Sequence, residues 1–149
     1  MKETLLISEC LLGVACRYDG NSVPLPAETL NALAERFHLL PVCPEQLGGL
    51  ETPRNPSERR GDRVMMNNGT DVTEQYARGA AQALYLAKKF GCTRALMKER
   101  SPSCGSGVIY DGSFTGGFTE GWGVAAEALR DAGLSVCGES EIEKILGKV

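Results

Sequence analysis

Short apolar runs alternate along this chain with stretches whose apolar residues recur at helical spacing. The run TLLIS, residues 4–8, reads as a buried strand. In PAETLNALAERF, residues 26–37, Leu30, Leu33, Ala34 and Phe37 fall on one helical face, and HLLPV then gives a second strand ending at Val42. The region GGLETPRNPSERRGDRVMMNNGTDV is rich in Gly, Pro, Asn and charge, which predicts a long loop with one hairpin around residues 63–66. A helix follows, with Thr73 as its N-cap and Gly91 as its stop. RALMK is the third strand, and the glycine-rich YDGSFTGGFTEG leads to a helix over residues 122–132 that ends at Gly133. LSV is a fourth strand before a last helix over residues 141–146. This alternation predicts an α/β fold with a mainly parallel, Rossmann-like sheet and helices on both faces. In such a sheet, ligands bind beyond the carboxyl ends of the strands.

Composition adds size and setting. A chain of 149 residues, 42% hydrophobic and 23% charged, suits one domain spanning residues 1–149. The net charge of -3, with Lys and Arg dispersed, supplies no stripe to track a phosphate backbone, so a nucleic-acid polymer is not the expected partner. MKETLLISEC has too short an apolar run for a signal peptide, and no segment approaches the roughly 20 residues that span a bilayer. The expected address is cytoplasmic, without a membrane partner.

That setting changes the meaning of Cys10, Cys16, Cys43, Cys92, Cys104 and Cys137. Lasting disulfides are rare in a reducing compartment, so some of these thiols are expected to bind metal or do chemistry. There is no CxxC pair, so distant segments must build any metal site. Cys10, Cys43, Cys104 and Cys137 each follow a predicted strand, at the ligand-binding edge. Cys92 precedes a strand, on the opposite edge, and reads as structural. Cys16 lies in GVACRYDG, where it either reaches the site or packs beneath it.

Other residues admit two readings from the sequence. Glu45 in CPEQ is an acid–base candidate or a solvated turn carboxylate, and Ser101 and Ser103 read as caps or turn formers. The glycine-rich run from Gly112 to Gly123 lacks the lysine and spacing of a P-loop, and reads as backbone approaching a cofactor or substrate. Phe118 and Trp122 beside it either stack on a flat base or join the core. His38 is the sole histidine and begins a strand, which leaves little for a Cys–His site.

The segments SECLLGVACRYDG, PVCPEQLGGLETPRNPSE and MKERSPSCG resemble those of a bacterial family, long filed as a domain of unknown function, some members of which are thiouracil desulfidases. The resemblance spans most of the chain. It implies a 4Fe-4S cluster held by three cysteines, leaving one iron without a protein ligand, and non-redox removal of sulfur from a small thiolated pyrimidine. Matched segment by segment, the ligands are Cys10, Cys43 and Cys104, the acid–base carboxylate is Glu45, and the assisting serine is Ser101.

The implied chemistry is coherent. Thiolates are the ordinary ligands of iron–sulfur clusters, and an iron with an open position is a Lewis acid with an affinity for soft sulfur. A carboxyl group two residues from a ligand is suited to moving protons between water, substrate and the departing sulfur. Two other classes use the same thiols. One is a non-catalytic iron–sulfur or zinc protein, and the other is a sulfur carrier or redox sensor with a persulfide on Cys104 or Cys10.

Overall fold

In the computed structural model, which describes residues 2–147, the chain opens with β1 (Glu3–Ser8), α1 (Ala27–Arg36), β2 (Phe37–Val42) and the single-turn α2 (Pro44–Leu47). A hairpin of β3 (Ser57–Arg60) and β4 (Arg63–Met66) precedes the long α3 (Thr73–Lys89) and β5 (Arg94–Met97). A second hairpin, β6 (Ser106–Tyr110) and β7 (Phe118–Trp122), leads to α4 (Val124–Asp131), β8 (Ser135–Gly138) and α5 (Glu143–Leu146). Strands β2, β1, β5 and β8 form one parallel sheet in that order, as the alternation predicts.

Successive strand residues point to opposite faces, so each apolar strand feeds two cores. Leu5, Ile7, Leu96 and Cys137 pack with Leu33 of α1 and Ile145 of α5. Leu6, Ala95 and Met97 pack on the other face with Ala80 and Ala87 of α3 and Ala125 and Leu129 of α4. Fully burying a Leu or Ile side chain contributes roughly 1.5–3 kcal/mol, so these two layers hold the α/β sandwich together. The chain moves from β1 outward to β2, then returns to β5 on the other side of β1. That reversal opens a crevice beyond the carboxyl ends of β1 and β5.

Two glycines set how α2 approaches this crevice. A Cβ on Gly48 would stand 1.9 Å from the Gln75 carbonyl oxygen, and one on Gly79 would stand 1.8 Å from that of Pro44. Only bare backbone fits at both positions, so the turn carrying Glu45 lies directly against α3.

Several local expectations are corrected. Phe37 opens β2 instead of closing α1, because its ring is buried beside the sheet. Val72, not Thr73, occupies the N-cap of α3. The Thr73 amide instead donates to Asp71 Oδ1 (2.9 Å), while its hydroxyl accepts the Val64 amide (2.9 Å) and fastens the first hairpin. The Gly112–Gly123 run is largely a turn and a strand, with β6 and β7 in register from Ser106 opposite Trp122 to Tyr110 opposite Phe118. Trp122 therefore ends a strand, and α4 starts two residues later. Cys137 lies within β8, facing the α1–α5 core, and not beyond the strand. Cys92 is buried in the opposite core, as its position predicts. No helix among the described residues is long and apolar enough to cross a membrane.

Candidate active site

A cavity of about 390 Å³ opens where the sheet reverses, and the thiols of Cys10, Cys16, Cys43 and Cys104 border it. Cys10 sits in the single 3-10 turn Glu9–Leu12 that follows β1 and is ended by Gly13, whose φ of 100° suits a residue without Cβ. Cys43 follows β2 at the N-cap of α2, where Pro44 at the first helical position turns the chain. All four are buried, and all six cysteines of the chain are free thiols.

Cys104 is held by the loop after β5. Ser101 Oγ accepts the amides of both Ser103 and Cys104 at 3.1 Å, and the Gly105 amide returns to the Ser101 carbonyl at 2.9 Å. The first amides of α4 complete the clamp: Val124 donates to the Pro102 carbonyl at 2.8 Å and Ala125 to that of Ser103 at 2.9 Å. Gly123 permits this approach, since a Cβ there would lie 2.5 Å from the Ser103 carbonyl carbon. Ser101 thus does the work of a turn former, and it is also 3.0 Å from the Ser103 hydroxyl.

Glu45 faces the cavity between two partners. Its Oε1 accepts from Arg54 Nε at 2.9 Å, and its Oε2 accepts from Ser103 Oγ at 2.9 Å. Ser103 Oγ is also 3.5 Å from Cys104 Sγ, so one hydroxyl bridges carboxylate and thiol. Arg54 has a side chain only 5% exposed and also donates to the Cys16 carbonyl (2.8 Å), the Glu51 carbonyl (3.0 Å) and Thr52 Oγ1 (3.0 Å). Burial works against its charge, but the Glu45 carboxylate outweighs that penalty and raises the Arg54 pKa.

The surroundings raise the pKa of three of the cavity's thiols. Burial pushes Cys104 up to about 12. Cys16 is pushed up to about 12, first by the Cys10 thiol, with Cys43 pulling the other way and burial adding to the rise. Cys43 is raised by its Cys16 neighbour and then by burial. Cys16 therefore reaches the site instead of packing beneath it, and its carbonyl lies 3.8 Å from Cys43 Sγ. Among the described residues, no three His, Cys, Asp or Glu side chains converge tightly enough for one metal ion. Thiols spread round a cavity suit a larger, multinuclear group of the kind thiolates hold.

The mouth carries aromatic residues other than those proposed for stacking. Tyr18, Tyr110 and Phe114 line it, each more than a third exposed. Phe118 instead lies under the Arg100 guanidinium (4.6 Å), and Trp122 under that of Arg130 (4.5 Å). Arg100 and Phe114, both at the cavity, adopt left-handed backbone with φ of 69° and 59°. Glu58 Oε1 fixes the second by accepting the amides of Gly112 (3.0 Å) and Phe114 (3.1 Å). His38 is exposed on β2 and is not among the lining residues.

Sequence reasoning brought Cys10, Cys43, Cys104, Glu45 and Ser101 to this cavity and missed Ser103 and Arg54 as its central polar partners. The one available signal for Arg54 was a lone arginine in ETPRNP, a loop otherwise without positive charge next to CPEQ.

The model of the 2-thiouracil desulfurase family matches residues 5–141. An uncharacterized protein of Bacillus subtilis (strain 168), YbbK, is 40% identical over 152 residues, covering 95% of this chain and 99% of its own. The solved structure of TudS, a 4Fe-4S-dependent thiouracil desulfidase, superposes with a TM-score of 0.92 at 45% identity, over 96% of this chain and 95% of that one.

Proposed function

This chain belongs to the 2-thiouracil desulfurase family, and on that premise we propose that it converts a thiouracil and water into uracil and hydrogen sulfide without net redox change. The observation that carries the reading is the meeting of three loop-borne thiols with a hydrogen-bonded carboxylate at one cavity beyond the sheet. Residues 1–149 act as one iron–sulfur desulfidase-like domain, and the free thiols suit a cytoplasmic setting.

Cys10, Cys43 and Cys104 would hold a 4Fe-4S cluster, and the buried thiol donor set fits it. When bound, such a cluster with one iron lacking a protein ligand supplies a Lewis acid for soft sulfur. The remaining work falls to the chain. Glu45 takes a proton from the water that replaces sulfur. Ser103, touching both Glu45 Oε2 and Cys104 Sγ, passes protons between the carboxylate and the sulfur side of the cavity. Ser101 extends that hydroxyl chain and holds the loop. Arg54 fixes Glu45 in rotation. Tyr18, Tyr110 and Phe114 offer flat surfaces at the mouth for a planar pyrimidine.

The test is anaerobic reconstitution, assay of iron and acid-labile sulfide, and sulfide release from 2- and 4-thiouracil. Iron–sulfur content with sulfide release is the expected result. A reconstituted protein that releases none from either base sinks the enzymatic reading and leaves a non-catalytic cluster protein. Colourless protein holding zinc points to the same structural class, and a persulfide on Cys104 or Cys10 without iron points to a sulfur carrier.

A further inference from the structure

Tyr76 brings to the cavity a buried hydroxyl that none of Glu45, Ser103, Ser101 and Arg54 engages. It comes from the first turn of α3, is 2% exposed and packs with Val64 and Val72 beneath the first hairpin. Its ring lines the cavity on the Glu45 side. The hydroxyl has no hydrogen-bond partner among the described residues. Ser57 and Glu45 are close enough to influence it as hydrogen-bonding neighbours, but neither meets it within the distance and angle of a formed bond. An unpaired buried hydroxyl is destabilising, and a phenylalanine in the same place would avoid that penalty. Burial, reinforced by the Glu45 charge, raises its pKa well above the usual phenol range.

We propose that the Tyr76 hydroxyl is a positioning group of the active site, holding beside Glu45 the water that replaces the substrate's sulfur. The inference rests on the desulfidase reading and adds a residue to it. Glu45 has both oxygens engaged, by Arg54 and by Ser103, and needs a further group to fix a water for proton transfer. Tyr76 supplies a donor from a rigid helix, with Ser57 at the same wall of the cavity. Such a water donates one proton to Glu45 and accepts the phenol's hydrogen bond through one lone pair, which leaves its second lone pair free for attack.

The experiment compares Tyr76→Phe with the wild type in the reconstituted enzyme. Expected are unchanged iron content, an unchanged or higher melting temperature, an unchanged KM for thiouracil and a kcat lowered about 10- to 100-fold, the usual cost of losing an orienting partner. In a Glu45→Gln background the same substitution should cost little further, since the water it positions has lost its base. A wild-type kcat in Tyr76→Phe overturns the inference, as does a lowered melting temperature, which makes the hydroxyl a structural bond. An additive loss in the double variant also overturns it. Wild-type sulfide release tests the desulfidase reading separately, and the melting comparison judges the hydroxyl without it.

Discussion

Ser103 Oγ lies 2.9 Å from Glu45 Oε2 and joins two segments 58 residues apart in sequence. The contact requires the α2 turn to lie flat on α3 and the Cys104 loop to be clamped by α4, so it reports the assembly of the whole cavity. General acid–base groups typically contribute about 10²- to 10⁴-fold, and Glu45→Gln should lower single-turnover sulfide release within that range while iron content and visible spectrum stay unchanged. Ser103→Ala should lower it by less, since water can replace a hydroxyl relay. A Glu45→Gln variant with wild-type turnover and an intact cluster would place proton transfer elsewhere.

Arg54 makes a different kind of contribution. Its guanidinium ties the Glu45 turn, the Cys16 loop and its own loop at Glu51 and Thr52 through four hydrogen bonds. Removing one partner of a buried ion pair leaves an uncompensated charge and costs about 3–5 kcal/mol, so Arg54→Ala should lower the denaturant midpoint of unfolding accordingly. Arg54→Lys keeps the charge but not the fork, and should recover only part of that loss. If Arg54→Ala unfolds at the wild-type midpoint, the pair does not organise the site.

The strands and the placing of Cys10, Cys43 and Cys104 beyond them were legible because they depend on local pattern, whereas the roles given to Glu45 and Ser101 rest on the family resemblance. An apolar run followed at once by a cysteine marks a strand end, which is why Cys10 and Cys43 could be assigned to the binding edge. Cys137 misled for the same reason, because β8 runs two residues further than LSV and encloses it. The second hairpin was obscured by its glycines: Gly107, Gly112 and Gly116 all have positive φ, and their sequence reads as loop. Ser103, Arg54 and Tyr76 were out of reach because their partners are set by helix packing. The Gly48–Gly79 approach that brings α2 and Tyr76's helix together involves residues 31 apart, with nothing local to announce it.

Alkaline pH should weaken the cluster-free protein. Burial pushes Cys104 up to about 12 and is the first cause of the rise of Cys137 to about 11, against an ordinary value of 9.0. The folded chain therefore keeps protons that the unfolded chain releases above pH 9. This stability is fully present below that value and is lost as pH rises through about 11–12. Each such thiol costs about 1.4 kcal/mol per pH unit once above 9, before its folded pKa is reached. Urea midpoints measured at about pH 7.5 and about pH 10 should differ clearly, and Cys137→Ala should reduce the difference. Equal midpoints would mean that the buried thiols titrate as freely folded as unfolded.

The arrangement of Cys16 decides whether the centre is open or closed. The Cys10 and Cys43 thiols stand close enough to act on its own, yet its carbonyl is already bound by Arg54, which fixes the loop independently of any metal. With three ligands, Cys10→Ala, Cys43→Ala and Cys104→Ala should each prevent stable reconstitution, whereas Cys16→Ser, Cys92→Ala and Cys137→Ala should retain full iron. Exposure to air should then bleach and inactivate the wild type, because an iron without a protein ligand is open to attack and loss. Iron and acid-labile sulfide measured on all six variants before and after air exposure give the answer. Loss of iron in Cys16→Ser, together with an air-stable wild type, would make Cys16 the fourth ligand, and a centre closed by four thiolates would have no position for a thiocarbonyl sulfur.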